Sequence, residues 1–541
     1  MQKGNSSKTH KLLYFPIAVL FMFSFLDCAK KGNPSGGLKD SIAPVIIKNS
    51  PENFTTSFDK DQIKITFDEY IKLKDITKEL LISPPLTYPP VITPTNVSKQ
   101  LRINILDTLR ENTTYSFNFG NSIVDNNEEN IFANFKYVFS TGTYIDSLKL
   151  KGIISDALLL SPEFPTTVML YEIDEAYKDS LVFTEKPVYI TTTLGESNEF
   201  ELSNLKEGTY QLIALKETGA NYTFQPLSDK IGFYSEPISL PTEEVFEVKL
   251  FKEIPKFKLT RPKLESKNRI IFGYQGNGDS LKIKVLSELP DDFEYLIKKE
   301  IDSDTLNFWF KTEALSDSIV FETRNKIDID TFTLRFRELF SDSLMLKPIK
   351  NGNVAMKDTL QLFLNTPLSL VDDTKIEVKM ADTIPVPFDV SLNYKLNNIR
   401  VQFEKVEEER YKVTLNKGAV ADFFGNINDS VVFRQEVKAA SEFASIQLNL
   451  ENAQSFPYIV ELVDDKFKII DSKYTESETL ILFENIDPGN YFIRLILDSN
   501  QNKKWDTGDF LSRKAPERII YYPTIIELRS NFSFIETFML E

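Results

Sequence analysis

The chain has 541 residues, enough for about three to five domains of ordinary size. Hydrophobic residues make up 42% and charged residues 26%, a mixture that builds buried cores and excludes wholesale disorder. The single cysteine is Cys28 and the single histidine is His10, so the chain beyond residue 28 has neither. That excludes Ser-His-Asp and Cys-His catalysis, His or Cys zinc sites, structural disulfides and imidazole acid–base chemistry in the folded part.

The charge balance argues against a nucleic-acid partner. Acidic residues number 79 and basic residues 63, which gives a formal net charge of −16. A nucleic-acid binder must displace counterions from phosphates with a basic surface, and no long basic block stands in this sequence. We therefore expect no nucleic acid among the partners.

The N-terminus has the layout of an export signal. Lys3, Lys8 and Lys11 precede an almost wholly apolar run, 12–26. At 1.5 Å per residue in a helix, this run is shorter than the roughly 20 residues that cross a bilayer. The segment thus favours a cleaved signal peptide over a permanent span. Cys28 follows directly after the apolar run.

This ending, FLDC, resembles a bacterial lipoprotein signal, which implies that Cys28 is acylated and becomes the first residue of the mature chain. Asp27 departs from the small residue that the family prefers before the cysteine, and an uncleaved anchor with a chance cysteine is the alternative. We predict a signal peptide over 1–27 and a lipidated flexible tether over 28–41, rich in Gly, Ser, Pro and Lys. Because Ala29 stands after the cysteine, the resemblance favours the outer membrane, with its periplasmic or extracellular face left open.

Beyond the tether, the hydrophobic pattern alternates with a period of two. Examples are 62–67 (QIKITF), 115–119 (YSFNF), 331–339 (TFTLRFREL) and 491–497 (YFIRLIL). Such runs, separated by Gly, Pro, Asn and Asp clusters, are typical of antiparallel β-sandwiches. We predict an all-β chain of sandwiches in series.

Two kinds of domain are suggested by resemblance. Segment 44–142 contains PVIIKNSPEN, ITFDEYI, LRENTTYSFNFGNSIVDNN and YVFSTG in that order. It resembles the bacterial Ig-like domain of surface-layer and envelope proteins, placed over 42–143. The run FELSNLKEGTYQL (200–212) resembles the transthyretin-like or carboxypeptidase-regulatory-like β-sandwich, placed over 147–252.

Both domains recur farther along the chain. A shift of 281 residues lays FELSNLKEGTYQLIALKE on ILFENIDPGNYFIRLILD, and a shift of 297 lays Asp125 on Asp422. The prediction is an unassigned β domain over 253–355, a second, divergent Ig-like domain over 356–440 and a second transthyretin-like sandwich over 441–541. Tandem Ig-like and transthyretin-like β-sandwiches then form an elongated multidomain chain.

One loop has the spacing of a calcium site. In DSNQNKKWDTGD, oxygen-bearing side chains fall at positions one, three, five, nine and twelve, a spacing similar to an EF-hand or dockerin loop; they are Asp498, Asn500, Asn502, Asp506 and Asp509. Lys503 replaces the usual Gly, and Asp509 replaces the usual Glu. The alternative is a polar loop whose side chains cap their own backbone, with Trp505 folded onto the sheet. Ca²⁺ is the one cofactor that the sequence suggests.

The sequence predicts no catalytic residues. No motif selects a carboxylate pair for glycoside hydrolysis. Aromatic side chains such as Trp309, Tyr521 and Tyr522 could form a carbohydrate platform, but core or interface packing is the favoured interpretation.

The function predicted is that of a non-enzymatic lipoprotein of the outer membrane, acting as a protein-binding scaffold or accessory subunit of an envelope complex. Its partners would be the membrane, through the lipid anchor, and outer-membrane proteins or other lipoproteins. The alternatives are a cell-surface adhesin and a glycan-binding or glycan-hydrolysing surface lipoprotein.

Overall fold

A computed structural model describes residues 40–301, 303–313 and 317–540. The predicted signal peptide and Cys28 lie outside these residues. The described residues pack into two compact units: the first holds 40–82 and 86–145, and the second holds 83–85 and the described part of 146–540. Nearly every regular element is a β-strand, which confirms the all-β prediction.

The first unit is a two-sheet sandwich, domain 1 (residues 46–140). Its sheets have the orders β1-β2-β5-β4, with β7 also paired to β2, and β3-β6-β8. Ile63, Ile65, Phe67 and Ile71 on β2 are fully buried, as the alternating pattern predicts. The elements are β1 (Ile46–Ser50), β2 (Gln62–Leu73), α1 (Ile76–Glu79), β3 (Leu81–Ser83), β4 (Val91–Thr93), β5 (Ser98–Asn104), β6 (Thr114–Asn118), β7 (Ile123–Asp125) and β8 (Lys136–Ser140).

Domain 2 (residues 148–250) opens the second unit. One sheet has the order β11-β10-β13-β14, with β15 also on β13, and the other has the order β12-β9-β16. The pair β16–β9 is parallel. A 3₁₀ turn spans Asp179–Phe183, and the strands are β9 (Leu148–Asp156), β10 (Thr167–Glu172), β11 (Tyr189–Thr192), β12 (Glu199–Leu205), β13 (Gly208–Lys216), β14 (Lys230–Phe233), β15 (Ile238–Leu240) and β16 (Val245–Leu250).

Domain 3 (residues 258–335) lies within 253–355, the segment without a family resemblance. It too is a sandwich, with sheets β17-β19-β22-β21, where β18 also pairs with β19, and β20-β23-β24. Its core is rich in phenylalanine, including Phe272, Phe308, Phe310 and Phe321. The strands are β17 (Lys258–Leu259), β18 (Lys263–Ser266), β19 (Arg269–Gln275), β20 (Lys282–Val285), β21 (Glu294–Lys299), β22 (Thr305–Lys311), β23 (Ser318–Asn325) and β24 (Asp328–Arg335).

Domain 4 (residues 346–437) has sheets β25-β27-β32-β31 and β26-β35-β33-β29-β30, with the pair β28-β34 beside them. Short 3₁₀ turns span Asp373–Lys375 within it and Ala440–Glu442 after it. The strands are β25 (Leu346–Pro348), β26 (Gly352–Val354), β27 (Leu360–Leu364), β28 (Leu368–Val371), β29 (Ile376–Met380), β30 (Ile384–Pro385), β31 (Phe388–Asn393), β32 (Asn398–Phe403), β33 (Arg410–Leu415), β34 (Val420–Asp422) and β35 (Val431–Val437).

The core of domain 4 begins upstream of the predicted start at residue 356. Leu344, Leu346 and Val354 all pack into it. The strands that hold Leu346 and Val354 are only three residues long, too short for an alternating pattern to stand out in the sequence, and Leu344 precedes them.

Domain 5 (residues 444–539) repeats the topology of domain 2. Its sheets have the orders β38-β37-β40-β41, with β42 also on β40, and β39-β36-β43, and the pair β36–β43 is again parallel. The strands are β36 (Ala444–Glu451), β37 (Tyr458–Val463), β38 (Ile469–Thr475), β39 (Leu480–Ile486), β40 (Gly489–Leu497), β41 (Ile519–Tyr521), β42 (Ile526–Leu528) and β43 (Ser533–Met539).

The 281-residue repeat holds at the level of single contacts. Asn204 and Asn485 both adopt a left-handed backbone, with φ of 61° and 59°. Four residues before each tyrosine, a carbonyl accepts its hydroxyl proton: Tyr210 donates to Lys206 and Tyr491 donates to Asp487. The two hairpins are therefore the same structural element used twice.

The 297-residue repeat holds in the same way for domains 1 and 4. Asp125 and Asp422 are both buried at the end of a short strand, and each carboxylate accepts backbone N–H groups of the turn that follows. Burial alone would raise the pKa of Asp125, but the N–H donors of Glu128 and Asn130 outweigh it and lower that pKa.

Candidate functional site

The loop that the sequence singles out, 498–509, follows β40 in domain 5. Asp498 is fully buried, and its carboxylate accepts the backbone N–H groups of Asn502 and Lys503 at 3.1 and 2.8 Å. Asp506 accepts the side-chain amides of Asn500 and Asn502. Hydrogen bonds thus gather four of the five predicted ligands into one loop.

The fifth predicted ligand, Asp509, is bound elsewhere. Its Oδ1 accepts the backbone N–H and the hydroxyl of Ser512 at 2.7 and 2.6 Å. Among the residues the structure describes, no group of three or more His, Cys, Asp or Glu side chains could hold a metal ion. The side-chain oxygens of Asn500 and Asn502 are outside that count, so the calcium prediction stays a prediction.

One feature of the loop backbone matches a calcium loop: the residue at position six has a left-handed conformation. Lys503 stands at position six, where such loops have Gly, and its φ is 62°. This left-handed conformation costs a residue with a Cβ roughly 1–2 kcal/mol. Lys503 places its ammonium 4.7 Å from the ring centre of Tyr474. A cation that prefers oxygen ligands, such as Ca²⁺, would be held by the side chains of Asp498, Asn500, Asn502 and Asp506.

The continuation of the loop docks onto domain 2. Thr507 donates its hydroxyl proton to the carbonyl of Lys252 at 2.7 Å, and the backbone N–H of Phe510 donates to Glu253 at 2.5 Å. Phe510 is fully buried and packs edge-on against Phe233, with ring centres 5.4 Å apart. Contacts between residues more than 250 positions apart therefore join the two repeats.

Arg513 makes the most connections in this contact. Its guanidinium donates to both carboxylate oxygens of Asp179 and, at 3.0 Å, to the side-chain carbonyl of Gln211. It also lies over the rings of Phe233 and Phe510, 5.4 and 5.0 Å from their centres. A guanidinium can do both at once because its edge donates hydrogen bonds while its flat face stacks.

A glycine permits the close approach. A Cβ on Gly508 would meet the ring of Phe251 and the carbonyl of Lys514 at 2.8 Å. Both distances are shorter than van der Waals contact, so a larger residue would push the loop away from domain 2.

Domain 5 also contacts domain 2 through Arg494, which forms a buried ion pair with Glu461 inside domain 5. Arg494 and Glu461 are 5% and 8% exposed, and Nε donates to the carboxylate at 2.7 Å. Arg494 and Tyr521 both donate to the backbone carbonyl of Leu158, at 3.3 and 2.5 Å. We name this contact, together with the contacts of 507–513, the repeat interface.

The aromatic side chains suggested as a carbohydrate platform are not available to a ligand. Trp309 is only 4% exposed, sits under the guanidinium of Arg269 and contacts Phe424 of domain 4. Tyr522 is 8% exposed and Tyr521 belongs to the repeat interface. These positions agree with the favoured interpretation of core or interface packing: Tyr522 packs in the core of domain 5, and Trp309 and Tyr521 contact neighbouring domains.

No sequence motif indicates the repeat interface. Arg494 and Arg513 stand in ordinary strand and loop contexts, and their hydrogen-bond partners in domain 2 are at least 302 residues away along the chain. A usable signal existed in the loop lengths: β40 and β41 are separated by 498–518, whereas the equivalent strands of domain 2 are separated by 217–229. The extra residues are the ones that reach domain 2.

Comparison with known protein families identifies one of these domains. Residues 40–141 match the family model described as a bacterial Ig-like domain (Big_5). The match confirms the family proposed for domain 1. It covers about a fifth of the chain, so it defines a domain and not the whole protein.

Among solved structures, the S-layer protein rSbsC(31-844) aligns with 90% of this chain and 68% of its own, at 13% identity and a TM-score of 0.17. The Bacillus anthracis TIE protein aligns with 94% of this chain and 76% of its own, at 11% identity and a TM-score of 0.13. Titin domains A168-A170 align with 44% of this chain and 91% of their own, at 11% identity and a TM-score of 0.13.

Among curated proteins, the probable basic-leucine zipper transcription factor O of Dictyostelium discoideum is 28% identical over 135 residues. That stretch is 24% of this chain and 18% of the relative. No helix among the described residues is long and apolar enough to cross a membrane. The class defined by the fold is a chain of tandem β-sandwiches that includes a bacterial Ig-like domain.

Proposed function

We propose that this chain is a non-enzymatic scaffold of the bacterial envelope, anchored to the outer membrane through an acylated Cys28. The transthyretin-like character of domains 2 and 5 belongs to the same proposal. The S-layer protein among the structural neighbours has a name consistent with an envelope location. The lipid anchor itself is supported by the sequence resemblance at Cys28.

The observation that supports the scaffold role is that several charged and aromatic side chains are used in contacts between domains. Arg494, Arg513, Glu253 and Trp309 are all engaged in contacts between domains. Residues beyond 28 include neither His nor Cys. Side chains that hold domains against one another help to position binding surfaces. They are then not free to act in catalysis.

The test is an affinity purification of the tagged full chain from gently solubilised envelopes after mild cross-linking, analysed by mass spectrometry. We expect an outer-membrane barrel or other lipoproteins to be recovered at fixed stoichiometry. The matched control is Cys28→Ser, which should lose those partners because the chain no longer resides at the membrane. Recovery of the wild-type chain alone would contradict the scaffold role and favour an extracellular or glycan ligand.

A further inference from the structure

The outer face of the sheet β39-β36-β43 in domain 5 differs from its counterpart in domain 2. In domain 2 the equivalent face is charged: Lys149 and Lys151 pair with Glu201 at 2.9 and 3.6 Å, and Ser155 donates to Glu247. Such a ladder of opposite charges suits a sheet that faces water. It also discourages contact with another sheet.

Domain 5 replaces that ladder with uncharged side chains. The 281-residue repeat puts Leu482 where domain 2 has Glu201, and the strand registers put Gln447 where it has Lys151. We name this surface the uncharged face; its outward side chains are Ser445, Gln447, Asn449, Leu480, Leu482, Ser533, Ile535, Thr537 and Met539.

Four apolar side chains on this face are well exposed. Leu480, Leu482, Ile535 and Met539 are 47%, 46%, 61% and 54% exposed. They stand in two columns, on β39 and β43, with the amides of Gln447 and Asn449 in the column between them. An exposed group of apolar side chains without charge, on a domain whose sister domain has salt bridges there, marks an interaction surface.

We propose that the uncharged face binds a second copy of this chain. The chain carries a net charge of −16, so two copies repel each other over most of their surfaces. The middle of this face presents no charge: the two charged residues, Glu451 and Glu484, lie at the ends of the strands, and Glu484 pairs with Lys357 of domain 4.

The pattern of the face is also self-complementary. Amide side chains that leave water need hydrogen-bond partners. In a two-fold arrangement of face on face, the central strand β36 of each copy lies opposite that of the other, so the amide column meets an amide column. The flanking apolar columns then meet apolar columns.

The size of the face sets the strength of the contact. Three strands of seven residues cover about 14 Å by 23 Å, roughly 300 Å² in projection. A standard interface buries about 800 Å² on each partner. We therefore expect a reversible dimer that forms at high local concentration, such as a membrane surface provides.

Sedimentation velocity on the full chain in mild detergent, over a concentration series, tests the proposal. We expect a monomer–dimer equilibrium for the wild type and a shift to monomer, at least tenfold in the dissociation constant, for Leu482→Glu, which installs the residue type that domain 2 has. Leu370→Glu is the matched control, because Leu370 is 61% exposed on domain 4 and should leave the dimer unchanged. A wild type that stays monomeric, or equal effects of the two variants, would overturn the proposal.

Cross-linking gives a second readout that does not depend on affinity. Because Cys28 is the only cysteine, a Cys28→Ser background carrying Gln447→Cys has a single thiol. A short bis-maleimide should join two such chains, whereas the same chain with Lys151→Cys, the equivalent position on domain 2, should remain single. Equal yields from the two positions would show random collision and refute the proposed face. This result is independent of whether the scaffold role holds.

Discussion

The ion pair of Arg494 and Glu461 is the residue-scale feature with the clearest energetic consequence. Both side chains are nearly fully buried in the repeat interface. Breaking such a pair leaves one charge without a partner in a low-dielectric environment, which typically costs about 3–5 kcal/mol. We expect Arg494→Met to lower the opening free energy of β37 and β40 by about that amount, measured by hydrogen exchange.

The matched control for this variant is Arg529→Met. Arg529 pairs with Glu527 at 3.0 Å, but their side chains are 77% and 63% exposed. Exposed pairs contribute about 0–1 kcal/mol, so this change should have little effect. Equal losses from the two variants would mean that Arg494 contributes no more than a surface charge.

Glu253 gives the repeat interface a pH dependence. Burial raises the pKa of Glu253 above its ordinary value of 4.5, although the N–H of Phe510 partly offsets this. A raised pKa in the folded state means that the stabilisation is fully present below pH 4.5 and is lost as the pH rises through the folded-state pKa. We expect Glu253→Gln to keep an acceptor for Phe510 and to remove this dependence.

The measurement is hydrogen exchange at the Phe510 amide between pH 4 and pH 7, after correction for the intrinsic exchange rate. The wild type should lose protection relative to the Gln variant as the pH rises. Parallel curves for the two proteins would rule out Glu253 as the origin of the dependence. Glu217, whose pKa burial also raises, offers a comparison away from the interface.

Some of these residues could be anticipated and others could not. The alternation of 62–67 predicts that Ile63, Ile65 and Phe67 are buried, because strand geometry sends every second side chain inward. Nothing near Arg513 predicts Asp179 as its partner, since 334 residues separate them. The hydrophobic pattern of a segment predicts which side chains of that segment are buried. It does not predict contacts between domains, because these depend on how whole domains pack.

At the scale of elements, the polar loop after β40 carries a prediction about calcium. Asp498 caps two backbone N–H groups, so its removal destabilises the loop with or without metal. Asp506 is the cleaner probe, because the contacts of its carboxylate are with side chains: the amides of Asn500 and Asn502, and the ammonium of Lys514 at 3.6 Å. If the loop binds Ca²⁺, ligand at a hundred times Kd stabilises the fold by about 2.7 kcal/mol. Asp506→Ala should then lower Tm clearly more in calcium than in chelator, where only these side-chain contacts are lost.

Asp429→Ala is the control for this experiment, since the side chain of Asp429 is 91% exposed on domain 4. It should not change the response to calcium. The same fall in Tm for Asp506→Ala with and without chelator would identify the loop as a self-capped structural element and remove Ca²⁺ from the list of cofactors.

The repeated hairpin shows which elements the sequence determines. Asn485, Gly489 and Tyr491 reproduce the backbone and the hydrogen bond of Asn204, Gly208 and Tyr210, and these signals lie within eight residues. The parallel pairs β16–β9 and β36–β43 had no comparable signal, because each joins strands about 90 residues apart. The residues that form a turn are neighbours in the sequence, so a turn can be predicted from it. The order of strands in a sheet depends on contacts between distant segments and cannot be predicted in this way.

At the scale of the whole molecule, the features that the repeated domains share and the features in which they differ lie on different parts of each domain. Domains 2 and 5 conserve topology and hairpin contacts between themselves, and they differ in the loop that forms the repeat interface and in the outer face of one sheet. The conserved parts fold each sandwich. The divergent parts are the loop that contacts another domain and the sheet face proposed to bind a second copy. Repeated domains of one fold can thus present different binding surfaces.

Cys28 carries the last prediction, which concerns where the molecule resides. It precedes the described residues and is the only cysteine in the chain. Cys28→Ser should abolish fatty-acid labelling and release the protein from membranes, because each buried CH₂ of an acyl chain contributes about 0.8 kcal/mol to anchoring. Asp27→Ser is the matched control: it supplies the small residue that lipoprotein signals prefer before the cysteine, so labelling should persist or increase. Label retained by Cys28→Ser would refute acylation at this residue, and the scaffold would then need another means of reaching the envelope.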